Sequence, residues 1–177
     1  AAHNGLPVPV IQCLLELCPR MIQFVDRFER TPLQMACRWV APLEVIQMLV
    51  DAWSEGMQVA DENKRLPLTT AVKVMAPLEY VQYLIQAYPE AAAVCDDFEQ
   101  TPLHLTKDYA VAEALLRVNP AAVEWKDEDG MTPIHSLSYM TDWDLCQGWQ
   151  DVVQRQPFLK QWDIMTLFLW HCYYRLK

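Results

Sequence analysis

One phrase returns four times along this 177-residue chain, and its spacing restricts the possible folds more than any other feature. It reads RTPLQMACRWV from Arg30, RLPLTTAVKVM from Arg65, QTPLHLTKDYA from Gln100 and MTPIHSLSYMT from Met131. The prolines that align these copies, Pro32, Pro67, Pro102 and Pro133, stand 35, 35 and 31 residues apart. Other marks keep the same step. Pro7, Pro42 and Pro77 are 35 residues apart in LPVPVIQ, APLEVIQ and APLEYVQ. Asp26, Asp61, Asp96 and Asp127 each begin an acidic turn, preceded by CPRMIQFV, WSEGMQVA, YPEAAAVC and NPAAVEWK. Several marks sharing one period indicate tandem units, each too small to bury its own apolar face without its neighbours.

Each unit reads alike at the residue level. Thr31, Thr101 and Thr132 suit the residue ahead of a helix, where a side-chain oxygen accepts an otherwise unpaired N–H. The next residue is Pro32, Pro67, Pro102 or Pro133, and the first helical position tolerates the missing donor of proline. Leu33, Leu68, Leu103 and Ile134 then face inward, with small residues such as Ala36 and Ala71 after them. Pro42 and Pro77 open a second helix. Val45, Ile46, Leu49 and Val50 give that helix one apolar face, flanked by Glu44, Gln47 and Asp51.

Gln-Thr-Pro-Leu-His-Leu (Gln100–Leu105) and Gly-Met-Thr-Pro-Ile-His (Gly130–His135), each after an acidic turn, resemble the ankyrin repeat. Its signature includes T-P-L-H-x-A at about 33 residues per unit. The resemblance covers the chain from Gly5 to Asp151. It implies an all-α fold, an ankyrin-repeat solenoid of stacked helix-turn-helix units. The stack occupies residues 1–156: a partial unit at 5–25, then units near 26–60, 61–95, 96–126 and 127–156. Residues 157–177 form a C-terminal capping or docking helix. In ankyrin-like units the histidine at the place of His104 and His135 ties neighbouring turns together by hydrogen bonds.

This chain departs from that pattern in several places. The usual turn glycine survives only as Gly130; Glu29, Lys64 and Glu99 replace it, so those turns are expected to be reshaped or strained. Leu66 replaces the capping threonine, at a cost of about 1 kcal/mol. The 31-residue unit is expected to have a tight inter-helix loop. The chain begins inside a unit, which suggests a fragment of a longer protein.

Composition narrows the function. The net charge of −9 disfavours nucleic acid. No phosphate loop, nucleophile elbow or H-E-x-x-H pattern occurs, so no catalytic residue, cofactor or small-molecule substrate is expected. The six cysteines form no C-x-x-C pair and show no zinc spacing to a histidine, so no metal is expected either. They are read as reduced, buried thiols of an intracellular, cytoplasmic protein. The turn Asp127–Gly130 begins like a calcium loop, but its glycine comes too early and Ser138 stands where a glutamate ligand belongs. The most apolar stretch, Ile164–Trp170, is too short to span a bilayer, and the tail carries few basic residues for membrane contact.

What remains is protein recognition. The resemblance implies that turn tips and first-helix ends line a concave groove that takes a partner protein. Carried onto this chain, the candidate residues are Phe28, Arg30, Arg38, Trp39, Arg65, Lys73, Phe98, Asp108, Tyr109, Asp129 and Tyr139. Trp39 and Tyr109 are the expected anchors, since aromatic residues and arginine dominate interfaces; packing over the inter-helix loop is the competing role for both. Charge is graded along the row: Arg27, Arg30, Arg38, Arg65 and Lys73 come early, while ten acidic and three basic residues lie within 90–129. A partner of opposite polarity would be oriented by that gradient. The alternative is a structural spacer, docked into a larger assembly through residues 157–177.

Overall fold

In the structure, a computed structural model, residues 8–133 are described, and among them every regular element is helical. Seven α-helices alternate with four short 3-10 turns. They are α1 (Val8–Leu17), α2 (Pro32–Arg38), α3 (Leu43–Ala52), α4 (Pro67–Lys73), α5 (Leu78–Ala87), α6 (Pro102–Leu105) and α7 (Tyr109–Val118). The 3-10 turns, Pro19–Gln23, Ser54–Gln58, Pro89–Ala93 and Pro120–Glu124, fall where the CPRMIQ-type segments recur. The calls on Ile134, His135, Tyr139 and the tail 157–177 lie outside the described residues.

The expected start signals operate as capping groups. The Thr31 hydroxyl accepts the Gln34 N–H at 3.2 Å, and the Gln34 side chain returns the bond to the Thr31 N–H at 2.8 Å. Proline follows at the first turn of α2, α4 and α6. At α4 Leu66 makes no side-chain cap bond and is instead buried. The cap is traded for apolar contact there, and the Thr70 hydroxyl in the same helix is buried without a hydrogen-bond partner.

Helices pair within a unit and then with their neighbours. α2 packs on α3, α4 on α5 and α6 on α7. Across units, α2 touches α4 and α4 touches α6, while α1 touches α3 and α5 touches α7. Leu33, Ile46, Leu68, Val81, Leu84, Leu103, Leu115 and Leu116 fill the continuous core between these layers. Burying one such side chain contributes about 1.5–3 kcal/mol.

Two expectations need correction. The third unit does have the shorter inter-helix loop, 106–108 against 39–42 and 74–77, but most of its four missing residues come from its first helix. α6 has four residues where α2 and α4 have seven. α2 and α4 end in a left-handed residue, Val40 at φ 49° and Met75 at φ 57°, with Ala41 and Ala76 N–H groups reaching back to Ala36 and Ala71. That is the Schellman ending. α6 has no room for it: the Thr106 hydroxyl accepts the Asp108 N–H, and the Asp108 carboxylate caps α7 directly, Oδ1 accepting the Ala110 N–H at 2.7 Å. The second correction concerns the thiols. Cys37 is buried and Cys95 half-buried, but Cys13, in α1, and Cys18, just after it, are exposed. All four are free.

Candidate functional site

The acidic turns form four fingers of one design. In each, the first aspartate folds the chain over its own carboxylate. Asp26 Oδ1 accepts the Phe28 and Arg30 N–H groups, Asp61 those of Asn63 and Arg65, Asp96 those of Phe98 and Gln100, and Asp127 those of Asp129 and Met131. The fourth residue is left-handed every time: Glu29 at φ 59°, Lys64 at 56°, Glu99 at 57° and Gly130 at 74°. Loss of the glycine therefore leaves the turn shape unchanged and places a side chain where its β-carbon is disfavoured, at about 1–2 kcal/mol each. The aspartate bonds hold the geometry against that cost.

The fingers are joined edge to edge by a single backbone bond per step. The N–H groups of Glu62, Asp97 and Glu128 donate to the carbonyls of Phe28, Asn63 and Phe98 in the preceding finger. Side chains add a second link. Arg65 Nε donates to Asp96 Oδ2 at 3.2 Å, and Gln100 Nε2 donates to Asp127 Oδ2 at 3.3 Å. Lys64 and Asp97 make a more exposed ion pair at 2.8 Å.

A third link runs from the first helices to the next finger. His104 Nδ1 accepts the Thr101 N–H at 3.1 Å, which leaves Nε2 protonated to donate to the Met131 carbonyl at 3.2 Å. The ring is neutral: burial, the largest influence, pushes its pKa below the ordinary 6.5, against the opposing pull of the Met131 carbonyl and Asp127. Gln34 occupies the same register two units earlier. Its oxygen serves Thr31, and its amide donates to the carbonyls of Val59 and Arg65 at 3.0 and 2.8 Å. The Gln34 link escapes a search for the histidine of the phrase, but its place 70 residues before His104 was a sufficient signal.

This network absorbs much of the apparent charge gradient. Asp96 and Asp127 are buried turn formers, Arg65 is committed to Asp96, and Asp108 caps α7. Arg30 closes onto Asp26 Oδ2 through Nε and Nη2 at 3.0 and 2.7 Å, and holds that carboxyl near a pKa of about 2. It also lies 4.3 Å over the Phe28 ring. Of the early basic residues of the row, those left on the surface are Arg38 and Lys73, at matching places on α2 and α4, with Arg27 on the first finger. Lys73 has its pKa lowered by burial first, then by Arg65 and Arg38, while Asp96 and Asp61 pull the other way. The acids left exposed are Asp97, Glu99, Glu128 and Asp129 on the last two fingers.

Among the aromatic candidates, Trp39 is 55% exposed at the end of α2 and Phe98 is 44% exposed on the third finger. Phe28 is half-buried beneath the Arg27 and Arg30 guanidinium groups. Tyr109 is half-buried and packs on the hydrophobic core. Among the described residues no group of three or more His, Cys, Asp or Glu side chains is placed to hold a metal ion, and no helix is long and apolar enough to cross a membrane. No known family's sequence profile matches the chain, and no curated protein is similar to it.

Proposed function

We propose that the chain is an ankyrin-type repeat protein whose finger tips and first-helix ends hold a partner protein, and that the partner presents an acidic segment to the first two full units. The supporting observation is the pair Arg38 and Lys73. These exposed cations repeat 35 residues apart, on successive helices that touch, beside Arg65. The pKa of Lys73 is lowered by burial first and by Arg65 second, while Asp96 and Asp61 pull the other way and Arg38 adds the smallest effect. A carboxylate placed between Arg38 and Lys73 would pair with both. Trp39 and Phe98 provide apolar area on either side. Opposite charge sets orientation and encounter rate more than it sets affinity.

Fluorescence anisotropy with a labelled glutamate-rich peptide and a lysine-rich counterpart tests the reading. The glutamate-rich peptide binds, binding weakens as salt rises, and Arg38→Glu with Lys73→Glu abolishes it. Trp39→Ala with Phe98→Ala weakens it at unchanged far-UV circular dichroism. Equal binding of both peptides, or no effect of the charge reversals, removes the assignment.

A further inference from the structure

The residues that end α2 and α4 are unusual for their place. A left-handed residue closes a helix with least strain when it is glycine, because a β-carbon crowds the following carbonyl, and a branched or bulky side chain there is an outlier. Val40 occupies the position at φ 49° and Met75 at φ 57°. The ending itself does not call for these side chains: the Ala41 and Ala76 N–H groups close it onto the Ala36 and Ala71 carbonyls at 2.9 and 3.0 Å. Nor does either side chain find a buried site, Val40 being 39% exposed and Met75 65% exposed. The left-handed residues Glu29, Lys64 and Glu99 of the fingers differ, for they are polar and sit in turns that an aspartate holds.

Val40 and Met75 are 35 residues apart, at the ends of helices that touch, and each follows an exposed cation by two residues, Arg38 and Lys73. Trp39, 55% exposed, and the half-buried Val74 stand between cation and left-handed residue. The third unit has no counterpart, because α6 stops at Leu105 and Asp108 caps α7 directly. Exposed apolar side chains at strained positions therefore coincide with the two basic helix ends.

We infer that Val40 and Met75 are the apolar contacts for a protein segment of the form apolar-acidic-acidic-apolar, whose carboxylates lie towards Arg38 and Lys73. This rests on the partner-binding reading proposed above and names the segment that the site takes. Packed helices stand about 8–10 Å apart, and three residues of a polyproline II segment advance about 9 Å and return to the same face. Apolar residues three apart thus reach successive units, with the two acids between them. An anionic lipid surface would match the same cations and apolar groups, but the net charge of −9 opposes it.

Fluorescence anisotropy with a labelled Leu-Glu-Glu-Leu peptide and an Ala-Glu-Glu-Ala peptide of equal charge tests the inference. The leucine peptide binds the parent chain roughly tenfold more tightly. Val40→Gly with Met75→Gly removes that advantage while the melting temperature holds or rises. Val40→Asn with Met75→Asn, which also suits the left-handed region, does the same without the freedom of glycine. Equal binding of the two peptides, or an advantage that survives both double variants, overturns the inference, and a lower melting temperature in both assigns the side chains to packing and overturns it too. Binding of the glutamate-rich peptide without a leucine advantage overturns this inference alone, whereas failure of every peptide overturns the charge reading with it. Flotation with phosphatidylserine–phosphatidylcholine vesicles and sedimentation cover the other occupants: vesicle binding, or a dimer, that the double-glycine chain loses assigns the pair to lipid or to a second copy and overturns the inference.

Discussion

Replacing His104 by glutamine or by leucine separates its role as a tie from its role as a titrating group. The ring makes two backbone hydrogen bonds, one inside the α6 cap and one to the next finger. Leucine removes both and strands the Thr101 N–H, in a residue with no exposed surface, while the Met131 carbonyl keeps the Asp127 N–H. Losing two net bonds and leaving one buried donor unpaired costs about 2–4 kcal/mol. Glutamine can reproduce both bonds, as Gln34 does two units earlier, so His104→Gln costs less than about 1 kcal/mol near pH 7.5. The pH response distinguishes the two forms further. Burial depresses the folded-state pKa of His104 below 6.5, so the unfolded chain binds the proton more readily. Its contribution is complete above 6.5 and is lost as pH falls through that value towards the depressed one. One pH unit below 6.5 the loss is at most about 1.4 kcal/mol. Urea unfolding of the three chains at pH 7.5 and 5.5 reads both effects, and the other histidines cancel in the comparison with His104→Gln. Wild type should lose more stability on acidification than His104→Gln. Parallel losses, or a leucine variant as stable as the glutamine variant, would refute the reasoning.

Three other outcomes follow from the geometry. Glu99→Gly relieves a left-handed residue at φ 57° and stabilises by roughly 0.5 kcal/mol after the added freedom of the unfolded chain is counted, whereas Gly130→Ala at φ 74° destabilises by about 1 kcal/mol, both read by thermal melts. Gly56→Ala places a β-carbon 2.9 Å from the Trp53 ring and costs about 1–3 kcal/mol in urea unfolding, because the ring must shift out of its packed position. Ellman's reagent modifies Cys13 and Cys18 in the folded protein but not Cys37, whose thiol burial pushes up to about 12; peptide mapping identifies the sites, and early labelling of Cys37 would contradict its burial.

The repeated prolines and apolar faces made the helices legible because each mark acts locally. Proline at a first turn, a capping threonine and the Val45–Val50 face need no knowledge of the neighbouring unit. What the sequence reading missed depends on contact between units. The four-residue deletion could be assigned to the loop or to the helix, and the decision lay with Thr106 and Asp108, which cap α7 at once and leave α6 one turn long. The thiols of Cys13 and Cys18 gave no signal of their exposure in the sequence.

The charges carry the same distinction into the candidate site. Counted along the sequence, Asp96, Asp108 and Asp127 belong to the acidic half of a polarity gradient and Arg30 and Arg65 to its basic half. In the fold the three carboxylates cap a helix or shape fingers, Arg65 answers Asp96 and Arg30 answers Asp26. A carboxylate already accepting two backbone N–H groups, as Asp96 and Asp127 do, has little capacity left for a partner. Under the proposed reading, recognition by charge therefore falls to side chains outside this network: Arg38 and Lys73 at one end, Glu128 and Asp129 at the other. Reversing Asp129 should alter partner binding at unchanged stability, whereas reversing Asp127 should unfold the finger before any partner is consulted.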